Sequence, residues 1–188
     1  MAIRGGTGRR ARCVAAAPYS GRAWLALLAA AAFAACASDG GDWRGGRFAH
    51  AKLGGSIGDV AAIESGWRQE SAPDATLAFR HADGSRASWL RECRGALAKS
   101  KALGRALWIA LPGGVIEESS EREVAGLPAW EVSGRAQAGS LGLRLATITR
   151  VAQRCEDSFM LVVPHGELHH RDAFEQWVRG FADDEPAR

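Results

Sequence analysis

The chain has 188 residues, 24 basic against 21 acidic side chains, and 47% apolar residues. That is enough sequence for one domain with its own core, and the composition excludes a disordered or low-complexity protein. The formal charge of +3 does not mark a nucleic-acid surface. Arg4, Arg9, Arg10, Arg12 and Arg22 all precede residue 36 with no acid among them, and the rest of the chain is slightly acidic.

The first element is Trp24 to Cys36, WLALLAAAAFAAC, an uncharged apolar run behind a basic lead. A short apolar core ending in small residues reads as an export signal. It falls short of the ~20 apolar residues that span a bilayer. Phe33-Ala34-Ala35-Cys36 resembles the bacterial lipoprotein signal, in which the cysteine thiol takes a diacylglycerol and becomes the new N-terminus. The resemblance implies that residues 1–35 are a signal peptide and that Cys36 is the lipid attachment site, carrying palmitate-type chains. Two or more such chains, at ~0.8 kcal/mol per buried methylene, hold a domain on a membrane without a spanning helix. Ala37, standing where aspartate would retain the protein at the inner membrane, resembles the outer-membrane sorting pattern. The expected location is therefore the outer membrane, facing the periplasm.

Residues 36–47 are rich in glycine and read as a tether. Residues 48–182 read as a single α+β domain, and 183–188 as a charged, frayed tail. Cys93 and Cys155 are the cysteines left to this domain. Two thiols in an oxidising envelope most often pair, with two separately buried thiols as the alternative. Pairing requires α-carbons about 4.4–6.8 Å apart. It would close a loop of about 60 residues, contributing ~4 kcal/mol in the chain-entropy model.

Arg47 to Leu53 reads as a first strand with Phe48 inward, and Gly54 to Gly58 as a glycine-rich turn. The turn satisfies G-x-S-x-G around Ser56, but a nucleophile elbow needs a strand before it, a helix after it, and histidine and acid partners. Trp67 to Glu70 and Ala75 to His81 are strands, and Ala82-Asp83-Gly84 is a hairpin turn into Arg86 to Cys93. Ala96 to Leu111 is a helix with a Leu103, Leu107, Leu111 stripe, in which Gly104 allows close packing on a sheet. Pro112-Gly113-Gly114 ends it.

Val115 to Val124 reads as a charged edge strand. A turn at Gly126-Leu127-Pro128 leads to Trp130 to Ala138, with Trp130, Val132, Ala136 and Ala138 on one face. Leu141 to Val151 alternates Leu141, Leu143 and Leu145 against Arg144 and Arg150. Arg154 to Val163 is apolar on both faces near its end and should lie centrally. After a polar loop, Asp172 to Phe181 is a helix with Phe174, Trp177, Val178 and Phe181 on one stripe.

Little of this carries chemistry. His165, Glu167, His169 and His170 are metal-ligand types, but they share one loop with no distant ligand evident, so the expected metal site is none and the loop is read as solvated. Glu117, Glu118, Glu121 and Glu123 read as a solvated strand face. Tryptophans 67, 89, 108, 130 and 177 all fall in predicted elements, which favours packing over a ligand box. No phosphate loop or dinucleotide fingerprint is present. The expected catalytic residues are none, the expected cofactors none, and the expected partners exclude nucleic acid.

The order β-β-β-α-β-β-β-β-α, with Val124-Ala125-Gly126-Leu127-Pro128-Ala129 between strands, resembles bacterial lipoproteins with a PsbP-like domain. So do the Gly66-Trp67 pair, the Phe79 to Gly84 hairpin, a cysteine at Cys93 and another at Cys155, and the F-x-x-x-V-x-G-F helix from Phe174 to Phe181. The resemblance implies an antiparallel sheet of about six to seven strands packed by two main helices, an α/β/α sandwich without catalytic residues. It implies a binding or assembly factor. The leading expectation is a non-enzymatic envelope lipoprotein that binds a protein partner. The alternative is an auxiliary lipoprotein of a lipid or small-molecule transport system, which should hold an apolar cavity lined by tryptophans.

Overall fold

The computed structural model describes residues 41–93, 98–164 and 166–184. The expected signal peptide, Cys36, the first part of the tether and His165 lie outside the described residues.

The chain opens with a small antiparallel sheet, β1 (Gly41–Arg44), β2 (Arg47–His50) and β3 (Ser56–Gly58). This corrects the tether reading over Gly41–Arg44. Gly45 and Gly46, both at positive φ, turn the chain tightly enough for Trp43 to pair with Phe48, and their rings meet edge to face at 5.8 Å. It also corrects the turn reading at Ser56, which is a strand residue. A 3-10 turn, Val60–Ala62, is capped by the Asp59 carboxylate accepting the Ala61 N–H.

The main sheet holds β4 (Trp67–Glu70), β5 (Leu77–His81), β6 (Arg86–Cys93), β7 (Val115–Val124), β8 (Leu127–Ala138), β9 (Leu141–Ala152) and β10 (Cys155–Pro164). Its seven strands run antiparallel in the order β4-β5-β6-β10-β9-β8-β7. The chain meanders through β4 to β6, crosses by helix α1 (Ser100–Ala110) to the far edge, and meanders back. β10 is thus central and β7 an edge, as their patterns predicted. The turn before β8 is Ala125-Gly126, at φ 49° and 74°, instead of Gly126 to Pro128. Two consecutive positive φ values match the right-handed twist of a two-residue hairpin, so Leu127 and Pro128 are already strand residues.

The closing β6·β10 pair sets Cys93 directly opposite Cys155. They form the disulfide, with α-carbons 4.0 Å apart, a little below the expected range.

Alternation along each strand feeds two cores. Trp89, Phe159, Leu161, Ala146 and Ile148 face the small sheet and helix α2 (Arg171–Arg179). Phe174, Trp177 and Val178 of that helix are buried there. Val132, Ala136 and Leu145 face α1 with Trp108 and Trp130. The buried residues of α1 are Gly104 and Trp108, not the expected leucine stripe; Leu103, Leu107 and Leu111 are only half-buried. A β-carbon at Gly104 would lie 3.1 Å from Trp130 Cδ1, so this glycine lets the helix approach the sheet. The result is an α+β fold with the main sheet covered on both faces.

The tail is shorter than read. Ala182 bridges Ser56, and Gly55 N–H donates to the Asp184 carbonyl. Residues 183–184 are therefore pinned to the small sheet, because their backbone completes its edge; 185–188 lie outside the described residues.

Candidate functional site

Three groups of polar residues stand out among the described residues. The first lies where the β5–β6 turn meets the start of α2. His81 ends β5, Asp83 sits in the turn, and His169 and His170 lead into the helix. His170 adopts the left-handed conformation at φ 64°, which non-glycine residues seldom adopt. Asp83 is the hub. One carboxylate oxygen lies 3.0 Å from His81 Nδ1. The other lies 2.7 Å from His169 Nε2 and 2.9 Å from His170 Nε2.

Outer contacts fix two of these rings. The Glu167 carbonyl lies 3.0 Å from His169 Nδ1, and Glu64 lies 2.8 Å from His170 Nδ1. The Trp67 indole N–H also donates to Glu64 at 2.9 Å. Its ring packs 5.2 Å from His81 and 5.1 Å from His170, walling the cluster on one side. Gly66, at φ 98°, leaves room for His81; a β-carbon there would lie 2.3 Å from Nε2.

The electrostatics follow. Partial burial lowers the His170 pKa, but hydrogen bonds to Asp83 and Glu64 outweigh it and raise the value above that of free histidine. Desolvation pushes Asp83 up, yet the Ser85 N–H and the three imidazoles hold its carboxyl well below the usual range. Glu64 is likewise lowered, its burial outweighed by Trp67 and His170. The solvated-loop reading of 165–170 is thus corrected for His170, while His169 stays exposed but contacts Asp83. Distant ligand-type residues do exist, because the fold brings the β5–β6 turn beside this loop. A spacing of 86 or 87 residues hides that contact from the sequence. The only local signal was the H-x-D spacing of His81 and Asp83 at the turn.

The second group is buried. Asp157 of β10 lies opposite Arg91 on one neighbouring strand and Arg150 on the other. Arg91 and Arg150 donate to it at 3.1 and 2.8 Å, and the Trp89 indole N–H at 3.0 Å. Asp183 caps both guanidiniums, 2.7 Å from Arg91 and in contact with Arg150. Arg150 and Asp157 are 0% exposed. Arg150 was expected on a polar face; its parity with Ala146 and Ile148 places it on the core face instead. The Phe181 ring lies over both guanidiniums of this balanced quartet.

The third is a shallow depression of about 600 Å³ beside the β8–β9 hairpin, with Val115, Leu143, Arg135 and Arg144 in its lining and no tryptophan. The five tryptophans of the predicted elements are instead packed in the two cores. Ser56 hydrogen-bonds Arg47 and Asp184, and among the described hydrogen bonds none joins it to a histidine. On β7, Glu117 meets Arg135 and Arg144, and Glu118 meets Arg171.

An antiparallel seven-stranded sheet entered by a β-β-β meander, crossed by one helix and closed by a C-terminal helix is a PsbP-like fold. Solved structures share it, two of them as follows. CyanoP, the cyanobacterial PsbP of Synechocystis sp. PCC 6803, aligns over 78% of this chain and 97% of its own, at 14% identity and TM-score 0.52. LpqN of Mycobacterium tuberculosis, described as involved in cell envelope biogenesis, aligns over 63% and 78%, at 16% identity and TM-score 0.50. No protein-family model and no curated protein sequence matches the chain.

Proposed function

We propose that the protein is a non-enzymatic lipoprotein of the cell envelope, held on a membrane through Cys36, whose PsbP-like domain binds a protein partner. The observation that carries the reading is the lipoprotein-type signal ending at Cys36, placed ahead of a disulfide-bonded domain. A disulfide suits an exported protein, since cytosolic thiols are kept reduced. Among the described residues no helix is long and apolar enough to cross a membrane, and two or more acyl chains on Cys36 would suffice to hold the domain there. The fold shared with LpqN, a protein involved in cell envelope biogenesis, is compatible with an envelope role. Ile109 at 83% exposure, with Val115 and Ile116 also exposed, supplies apolar surface of the kind partners cover. Outer-membrane placement facing the periplasm rests on Ala37 alone.

The test is acyl labelling with fractionation. The parent protein should take up labelled palmitate, fractionate with membranes and begin at an acylated Cys36. Cys36→Ala should be unlabelled and soluble. A mature N-terminus elsewhere, or membrane retention of the unlabelled variant, refutes the anchor.

A further inference from the structure

We infer that His81, Asp83, His169 and His170 form a binding site for a divalent transition-metal ion of the Zn²⁺ class. Ligand atoms of His81, Asp83 and His170 lie within 4.8 Å of one another, and His169 Nε2 lies 2.7 Å from the same carboxylate. Three imidazole nitrogens thus converge on one aspartate. A tetrahedral ion with bonds of about 2.0–2.1 Å spaces its ligands ~3.3 Å apart. The contacts of 2.7–3.0 Å around Asp83 would open by a few tenths of an ångström, and the His81 and His170 ligand atoms, within 4.8 Å of each other, would draw in on the same ion, with His169 joining through its contact to the shared carboxylate.

The rings pack closely enough to share one ion, those of His81 and His170 4.2 Å apart and those of His169 and His170 4.6 Å apart. His81 Nδ1 faces an Asp83 oxygen at 3.0 Å. One divalent ion would bind the neutral imidazoles and the carboxylate together.

The outer contacts are those that metal-bound histidines require. A histidine that ligates through one nitrogen donates the other N–H to a carboxylate or carbonyl, which fixes tautomer and orientation. Glu64 is placed to accept a hydrogen bond from His170 Nδ1–H, and the Glu167 carbonyl one from His169 Nδ1–H. Both rings therefore aim Nε2 at Asp83. Side-chain exposures of 9% at His170 and 47% at His169 leave the site reachable from solvent. Nitrogen-rich ligation selects transition metals over Mg²⁺ and Ca²⁺, which prefer all-oxygen shells. The ion would tie the β5–β6 turn to the start of α2, and the inference stands whether or not Cys36 is acylated.

The test is calorimetric titration of the tag-free protein with Zn²⁺ alone, beside Mg²⁺ and Ca²⁺. One Zn²⁺ per chain should bind with a dissociation constant of about 1 µM or tighter, with neither hard cation bound at that level. At about 100 times that constant the melting temperature should rise by about 5–10 °C. Asp83→Asn should abolish the one-to-one site. Glu64→Gln, which touches the ion only through His170, should weaken it about 10–100-fold. Should Asp83→Asn fail to fold, the half-exposed His169→Ala serves in its place, with at least about tenfold weaker binding expected. Absent or multiple weak binding, equal affinity for Mg²⁺ or Ca²⁺, or Zn²⁺ affinity unchanged in the folded ligand variants would overturn the assignment.

Discussion

Replacing Asp157 by asparagine tests the buried quartet most directly. The side chain keeps its size but loses its charge, and its amide NH₂ must face a guanidinium donor. Asp157 accepts from Trp89, Arg91 and Arg150. The substitution leaves Arg150, at 0% exposure, with Asp183 as its remaining anionic partner. Breaking a buried ion pair by removing one partner costs about 3–5 kcal/mol, because an uncompensated charge stays behind. Against a domain stability of about 5–15 kcal/mol, that loss is large and readable. Urea unfolding followed by tryptophan fluorescence is the assay. With an m-value of about 2 kcal/mol per molar, the midpoint should fall by about 1.5–2.5 M. A loss below about 1 kcal/mol would refute the reasoning, since that is the range of exposed pairs. Replacing Asp157 and both arginines by apolar residues of similar volume should recover much of the loss, because it removes the charges together.

Acid should act on the same quartet. Partial burial pushes Asp183 up, but its hydrogen bonds to Arg91 and Arg150 outweigh that and hold the carboxyl below its ordinary value of 3.8. A carboxyl lowered by folding contributes stability above its unfolded pKa and loses it as pH falls through the folded value. Asp183→Asn should therefore lose less stability than the parent between about pH 6 and about pH 3; parallel acid titrations would contradict this. Replacing Cys93 and Cys155 together by serine frees a sequence separation of 62 residues and should cost about 4 kcal/mol in denaturant unfolding. An unchanged midpoint would mean that the β6·β10 ladder alone closes the sheet. Gly104→Val should destabilise by about 2–3 kcal/mol, since even a β-carbon there lies 3.1 Å from Trp130. A variant as stable as the parent would show that α1 can lift from the sheet at no cost.

Several parts of the fold were legible because they are local. The Trp67–Glu70 and Arg86–Cys93 strands, the hairpin turn at Ala82-Asp83-Gly84, and the apolar stripe of α2 each follow from periodicity and turn chemistry within a dozen residues. The central place of β10 was readable from its apolar run, and the edge place of β7 from its charge. Strand parity also carries a signal. Arg91 shares its face with Ala87 and Trp89, Asp157 with Phe159 and Leu161, and Arg150 with Ala146 and Ile148. Charged residues on an apolar face of adjacent strands are expected to neutralise one another. Asp183 could not have been added to them, because its place depends on the tail completing the small sheet.

By itself the sequence determined the α+β class and the two cysteines available to pair. These depend on composition and short-range pattern, which each segment carries with it. Only the tertiary structure decided that β1 to β3 form a second sheet, that Gly104 and Trp108 are the buried face of α1, and that His81 and Asp83 meet His169 and His170. Those outcomes depend on which elements become neighbours. That neighbourhood is settled by burying two apolar sheet faces at once, a property of the whole chain and of no segment within it.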